Sequence, residues 1–137
     1  MSTSATVEGG CLCGAVRYAA RGVPSHPTLC HCRSCRGASG APMVAWVTFP
    51  ASGFSFVKGT PVRFRSSTPV IRTFCGACGT PLTYVYDAFP DGVDVTTCSL
   101  DDPEPFAPTD HTWISHRLSW MNLEDGRSRF QRTRQEG

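Results

Sequence analysis

Three short stretches carry nearly all the thiols: Cys11-Leu12-Cys13, Cys30-His31-Cys32-Arg33-Ser34-Cys35 and Cys75-Gly76-Ala77-Cys78. The remaining cysteine, Cys98, stands alone. Deprotonated thiols at such spacings ligate soft metals. Zinc takes four protein ligands in a structural site, and three with the fourth position open in a catalytic one. The first and third stretches supply a full set of four: Cys11, Cys13, Cys75 and Cys78. A knuckle turn brings residues i and i+3 to one ion, and residues i and i+2 of an extended segment share a face. A structural zinc built this way ties the start of the chain to its middle and restricts the unfolded ensemble.

That leaves Cys30, Cys32 and Cys35. One reading is a second structural zinc, completed by His26, His111, His116 or Cys98. The other is a three-ligand zinc whose open position takes water or substrate, the catalytic pattern. On an extended segment Cys30 and Cys32 share a face and Cys35 returns to it after a turn. His31 then points away and is a poor fourth ligand. Three thiolates make zinc a weak Lewis acid, so a soft thiol suits the open position better than water. Zinc also lowers the pKa of a coordinated thiol. A nucleobase deaminase is excluded, because none of the four histidines begins an H-x-E and Phe74, not Pro, precedes Cys75.

Several other residues have two readings. Arg33 and Arg36 flank the open-site cysteines and are candidates to hold substrate carboxylates, or are solvated surface cations. Trp46, Trp113 and Trp120 read as core or cavity wall. Asp101 and Asp102 precede Pro103, a turn composition, with proton handling at the zinc as the functional alternative. Cys98 reads as a small buried hydrophobe or as a redox-sensitive thiol. His31 is a candidate base near the metal.

The elements that must position these residues are short. With 13 glycines and 11 prolines among 137 residues, the chain is punctuated into β-branched and aromatic runs. Strands are expected at 15–18, 43–49, 54–57, 62–65, 70–74, 82–86, 93–97 and 111–115. Phe54 and Phe56 share one face, and Val62 and Phe64 oppose Arg63 and Arg65. One helical turn is expected at 34–39, stopped by Gly40 and Pro42. The fold class is all-β, or β-rich, in one domain of average size.

The net charge of +2 is too small to call for a nucleic-acid or membrane partner. The arginines of 127–134 read as a solvated tail. No leader-like apolar segment and no run of about 20 apolar residues is present. A cytoplasmic location follows as the expectation, in a compartment where eight cysteines imply metal rather than disulfides.

The stretches GGCLCGAVRY, CHCRSCRGASGAP, RTFCGACGTPL and SLDDP together resemble the glutathione-dependent formaldehyde-activating enzymes, whose domain centromere protein V shares. Weaker echoes are His111-Thr112-Trp113, Trp120, Asp125-Gly126 and Arg129-Phe130. The resemblance places the domain at 9–130, between tails at 1–8 and 131–137. It implies a β-tent of short antiparallel strands without a substantial helix. It also implies a structural zinc on Cys11, Cys13, Cys75 and Cys78, and a catalytic zinc on Cys30, Cys32 and Cys35. The implied reaction is that of a carbon–sulfur lyase, joining a small aldehyde, formaldehyde, to a small thiol, glutathione, or releasing it from S-hydroxymethylglutathione. Cys98 departs from the pattern, which has a small residue, often Gly, there. The rival reading is a non-catalytic zinc-stabilised module that contacts nucleic acid or protein through its basic C-terminus.

Overall fold

A computed structural model describes residues 5–135. Its strands are β1 (Thr6–Gly10), β2 (Arg17–Arg21), β3 (Ser25–Cys30), β4 (Val44–Pro50), β5 (Phe54–Lys58), β6 (Val62–Ser67), β7 (Val70–Phe74), β8 (Pro81–Tyr86), β9 (Gly92–Thr96), β10 (Asp110–Thr112) and β11 (Ser128–Arg129). One α-helix, α1 (Arg33–Ser39), follows β3. A three-stranded sheet has the order β1-β2-β5, and an eight-stranded sheet the order β11-β10-β3-β4-β9-β8-β7-β6. The fold is β-rich, as the sequence implies. The pairing is not antiparallel throughout: β10 runs parallel to both β3 and β11.

Alternation along the central strands divides the large sheet into two faces. In β4, Val47 and Phe49 enter the apolar core with Val93 and Val95 of β9, and with Tyr18 and Ala20 of β2. Trp46 and Thr48 point the opposite way and line a cavity. The small sheet thus covers one face of the large sheet and leaves the other free to build a site.

All eight expected strands are present, β7 with the expected ends and the other seven with shifted ones. Three strands were not foreseen. β1 ends in two glycines, and β11 is only two residues long. β3 contains Pro27, a poor omen for a strand paired on both sides. The ladder to β4 slips between Ser25 and Thr28, so Pro27 sits at the irregularity, with His26 at φ 52°.

The arginines of 127–134 do not form a solvated tail. Arg134 donates twice to the Asp110 carboxylate, at 3.0 and 3.1 Å, and Arg127 Nε donates to the Pro108 carbonyl at 2.6 Å. The backbone amides of Trp113, Ile114 and Ser115 donate to the carbonyls of Arg132, Phe130 and Gln131. Among the described residues no helix is long and apolar enough to cross a membrane.

Candidate metal centres and their cavity

Two turns of matching design hold the first cysteine group. At the end of β1 the chain folds back so that Gly14 N donates to Cys11 O at 3.1 Å and Cys11 N to Val16 O at 3.0 Å. Between β7 and β8, Gly79 N donates to Cys75 O at 2.8 Å and Cys75 N to Thr80 O at 3.0 Å. Gly14 and Gly79 close their turns at φ 79° and 84°, where a side chain would be strained. The C-x-C is therefore a turn and not the extended segment its spacing suggested. Leu12 N donates to Thr80 Oγ1 at 3.1 Å and links the two turns.

The four Sγ atoms of Cys11, Cys13, Cys75 and Cys78 lie within 4.8 Å of one another. Cys11 is 3.6 Å from Cys13, and Cys13 is 3.8 Å from Cys75. A tetrahedral ion with Zn–S bonds of about 2.3 Å has S–S edges of about 3.8 Å, so the set fits zinc closely. Backbone amides already point at the sulfurs: Val16 N at Cys11, and Ala77 N and Cys78 N at Cys75. Such donors favour thiolate. The Thr80 hydroxyl and amide hold the Cys78 thiol down to about 5.

The second group forms where β3 gives way to α1. Cys30 ends the strand, and Cys32 is the extended N-cap of the helix. Cys35 lies in the first turn, and its N–H donates to Cys32 Sγ at 3.3 Å. Cys30 and Cys35 Sγ are 3.4 Å apart, and the three sulfurs all fall within 4.8 Å. No fourth His, Cys, Asp or Glu atom joins them among the described residues. His26 is exposed, His116 Nδ1 accepts from Arg33 N–H at 3.4 Å, and His111 is engaged elsewhere. His31 does point away, as expected: its ring is fully buried against His111. Without metal the three thiols cannot share charge evenly. Hydrogen bonds from Cys30, then Cys35, hold Cys32 down to about 2, and Cys30 is pushed up by the same neighbours.

The sulfurs open onto a cavity of about 750 Å³, within the usual range for small-ligand sites. Its floor is the free face of the large sheet. Thr48, Asp94, Tyr84 and Arg72 form one row across β4, β9, β8 and β7, each the cross-strand partner of the next. Thr48 Oγ1 donates to Asp94 Oδ1 at 2.5 Å. The Arg72 guanidinium lies 5.0 Å from the Tyr84 ring centre and donates to Ser66 Oγ at 3.1 Å. Its Nη2 reaches Cys35 Sγ at 3.9 Å. Burial, and then Asp94, push the Tyr84 phenol up to about 12, so it is neutral. His26 and Trp113 are the non-glycine residues with left-handed backbone among those described, and both line this cavity. Strained backbone of this kind concentrates at functional sites.

Sequence reasoning placed its candidates unevenly. Arg33 lines the cavity; Arg36 is not among its lining residues. Trp46 and Trp113 form wall, while Trp120 is exposed and outside it. Asp101 pairs with Arg17, and Asp102 accepts from Glu104 N–H in the turn its composition suggested. Cys98 is not a buried hydrophobe: it is exposed at the middle of the 3-10 turn Thr97–Ser99, whose inward residue is Thr97. Arg72, Tyr84, Thr48 and Asp94 line the cavity without having been expected there. Arg72 had a signal, an arginine sharing one face of β7 with Val70 and Phe74. A buried charge there calls for a partner.

A family model described as glutathione-dependent formaldehyde-activating enzyme matches residues 6–116. Among solved structures, the crystal structure of a Rhodobacter sphaeroides protein shares the fold. It has a TM-score of 0.58 at 22% identity, with 90% of this chain and 98% of that one covered.

Proposed function

The chain belongs to the glutathione-dependent formaldehyde-activating enzyme family, and we propose that it is a zinc-dependent carbon–sulfur lyase acting on a small thiol adduct. The observation that carries this reading is a set of three converging thiols, without a fourth ligand among the described residues, at the head of a ligand-sized cavity. In this reading Cys11, Cys13, Cys75 and Cys78 hold the structural zinc, and Cys30, Cys32 and Cys35 hold the catalytic one. Zinc held by Cys30, Cys32 and Cys35 would lower the pKa of a substrate thiol placed against it, favouring the thiolate at neutral pH.

The chain's own residues supply the rest. Three thiolates exceed the charge of a divalent ion by one, and the Arg72 cation beside Cys35 offsets that excess. The Cys35 amide holds Cys32 Sγ in place. Trp46, Tyr84 and Trp113 pack around the sulfurs and restrict water. In the adduct-forming direction the substrate thiolate bonds to the carbonyl carbon of a small aldehyde, and the carbonyl oxygen takes up a proton. The reverse breaks the carbon–sulfur bond and returns the thiolate. Formaldehyde and glutathione are the substrates the family suggests, and Arg33 at the cavity edge suits a substrate carboxylate.

A nucleic-acid or protein-binding module is less well supported. Much of its basic C-terminal face is engaged internally, with Arg134 on Asp110, Arg127 on Asp125 and Pro108, and Arg132 over the Trp113 ring. Zinc content and adduct formation from glutathione and formaldehyde, measured on wild type beside Cys32→Ser, test the proposal. Two zinc ions falling to one, with loss of turnover, is the expected result. A Cys32→Ser protein as active as wild type refutes it.

A further inference from the structure

Asp94 stands in the middle of the cavity floor without a cation. Its carboxylate accepts one hydrogen bond, from Thr48, although a carboxylate has about four acceptor sites. No Arg, Lys or His forms an ion pair with it among the described residues. Arg72 is committed to Ser66, Tyr84 and Cys35, and Arg134 to Asp110. His26 and Arg134 face it only at longer range. Burial pushes the carboxyl above the ordinary range, as expected of a carboxylate held away from both water and a fixed cation.

The surroundings are aromatic as well as acidic. Tyr84 is the cross-strand neighbour of Asp94 and packs on Trp46, with ring centres 5.8 Å apart. Tyr86 and Phe89, a second ring pair at 5.6 Å, line the same cavity. Aromatic faces attract cations and a carboxylate binds an ammonium directly, so the combination selects an ammonium ion over a neutral or anionic group. Position narrows the class further. Asp94 and the three sulfurs line the same cavity, so one ligand can engage both.

We propose that Asp94, with Thr48 and the faces of Trp46 and Tyr84, is a subsite for the primary ammonium group of an extended thiol whose sulfur lies at the Cys30–Cys32–Cys35 cluster. This rests on the reading that the cluster takes a thiol. The subsite then sets substrate class. It admits amino thiols long enough to reach from the sulfurs to Asp94, and it disfavours both short amino thiols and thiols whose amine is blocked. It is a binding element and not part of the carbon–sulfur chemistry.

Glutathione, N-acetylglutathione and cysteamine are the probes, titrated into the full chain carrying cobalt. The thiol–cobalt absorption band reports the sulfur end, and tryptophan fluorescence reports entry of the ligand into the cavity that Trp46 and Trp113 line. A charged hydrogen bond of this kind is worth about 10-fold or more in affinity. Wild type is expected to bind glutathione about 10-fold tighter than N-acetylglutathione or cysteamine. Asp94→Asn keeps the shape and the Thr48 contact, and is expected to bind glutathione and N-acetylglutathione equally. Equal binding of those two by wild type overturns the subsite and leaves thiol binding intact; this arm needs no variant. A fall in turnover at unchanged affinities in Asp94→Asn also overturns it, because that result makes Asp94 a proton-transfer group. If no thiol changes the cobalt band, thiol binding itself fails and the subsite with it.

Discussion

His31 Nε2 lies 3.0 Å from His111 Nδ1, and both rings are buried. Asp125 determines which atoms donate. Its carboxylate accepts from His111 Nε2–H at 2.7 Å, which leaves His111 Nδ1 to accept from His31 Nε2–H. His31 Nδ1 is then the bare nitrogen, and it is buried without a partner among the described residues. Burial, and secondarily His111, hold the His31 imidazole down to about 4, so it is neutral. This chain draws the residue between Cys30 and Cys32 to the side of the sheet away from the cavity. The two sulfurs are left together on the cavity side.

The histidine pair gives a stability prediction with an internal ranking. His111→Leu strands the His31 N–H in a dry site and is expected to cost about 2 kcal/mol. Asp125→Asn still presents an amide oxygen to His111, at a position 30% exposed, and should cost less. Urea unfolding of the zinc-loaded proteins checks the order. Equal losses, or none for His111→Leu, would mean that the pair does not hold the β3–β10 junction.

Metal content should be two zinc ions per chain with unequal grip. The four-sulfur group is closed and tied into two turns, whereas the three-sulfur group faces a cavity. A chelator is expected to strip the three-sulfur site first. Cys30→Ser combined with Cys35→Ser should leave one ion. Loss of both ions together, or a wild type with a single ion that the double variant keeps, contradicts the partition.

Much of this partition was legible because the turns that gather the cysteines are local. The spacings of Cys11 to Cys13 and Cys75 to Cys78, and the glycines after them, carry their geometry within five residues or fewer. The strands of the central sheet were legible for the same reason, through β-branched and aromatic runs bounded by glycine and proline. The cavity floor was not. Thr48, Asp94, Tyr84 and Arg72 meet only because four strands take one register, and no local pattern encodes a register between distant strands. The His31–His111 contact joins residues 80 apart. β3 was hidden by Pro27, which is tolerated because the ladder slips at that point.

Fold and activity should separate by cysteine. Structural zinc binding is linked to folding free energy of order ~10 kcal/mol, more than the whole stability of most domains. Cys11→Ser and Cys78→Ser are therefore expected to be insoluble or unfolded. Cys32→Ser removes a ligand at the cavity and should remain folded yet inactive. Far-UV circular dichroism and soluble yield distinguish them, and equal loss in both groups would make both sites structural.

Alkaline stability should depend on Tyr18. Its ring is fully buried, and burial pushes the phenol up to about 12. Ser99 Oγ donates to the Thr96 carbonyl at 2.7 Å, so the Tyr18 O–H is the donor in the 2.6 Å contact with Ser99. The unfolded phenol ionises near ~10. Between that pH and about 12 the folded chain retains a proton that the unfolded chain releases. The stabilisation is fully present below about pH 10 and drains away as pH rises to about 12, by about 3 kcal/mol in all. Urea midpoints from pH 8 to 11.5 should fall in wild type and fall less in Tyr18→Phe. Parallel curves would assign the alkaline loss to other groups.

Thiol binding should release a proton, and Arg72 should govern its strength. A free thiol has a pKa of about 8.5 and is mostly protonated at neutral pH, whereas a metal-held sulfur is a thiolate. Binding at pH 7 is therefore expected to release about one proton, read by calorimetry in two buffers of different ionisation enthalpy. Cys32→Ser should release none. Each added thiolate deepens the negative charge at the cluster, and the Arg72 guanidinium, 3.9 Å from Cys35 Sγ, is placed to offset it. Arg72→Met keeps much of the packing against Tyr84 but removes the charge, and should weaken glutathione binding about 10-fold. Arg72→Lys restores the charge without the planar fork and should recover part of that loss. Unchanged affinity in Arg72→Met would mean that the arginine only braces Ser66 and Tyr84, and that the excess charge is carried without a protein cation.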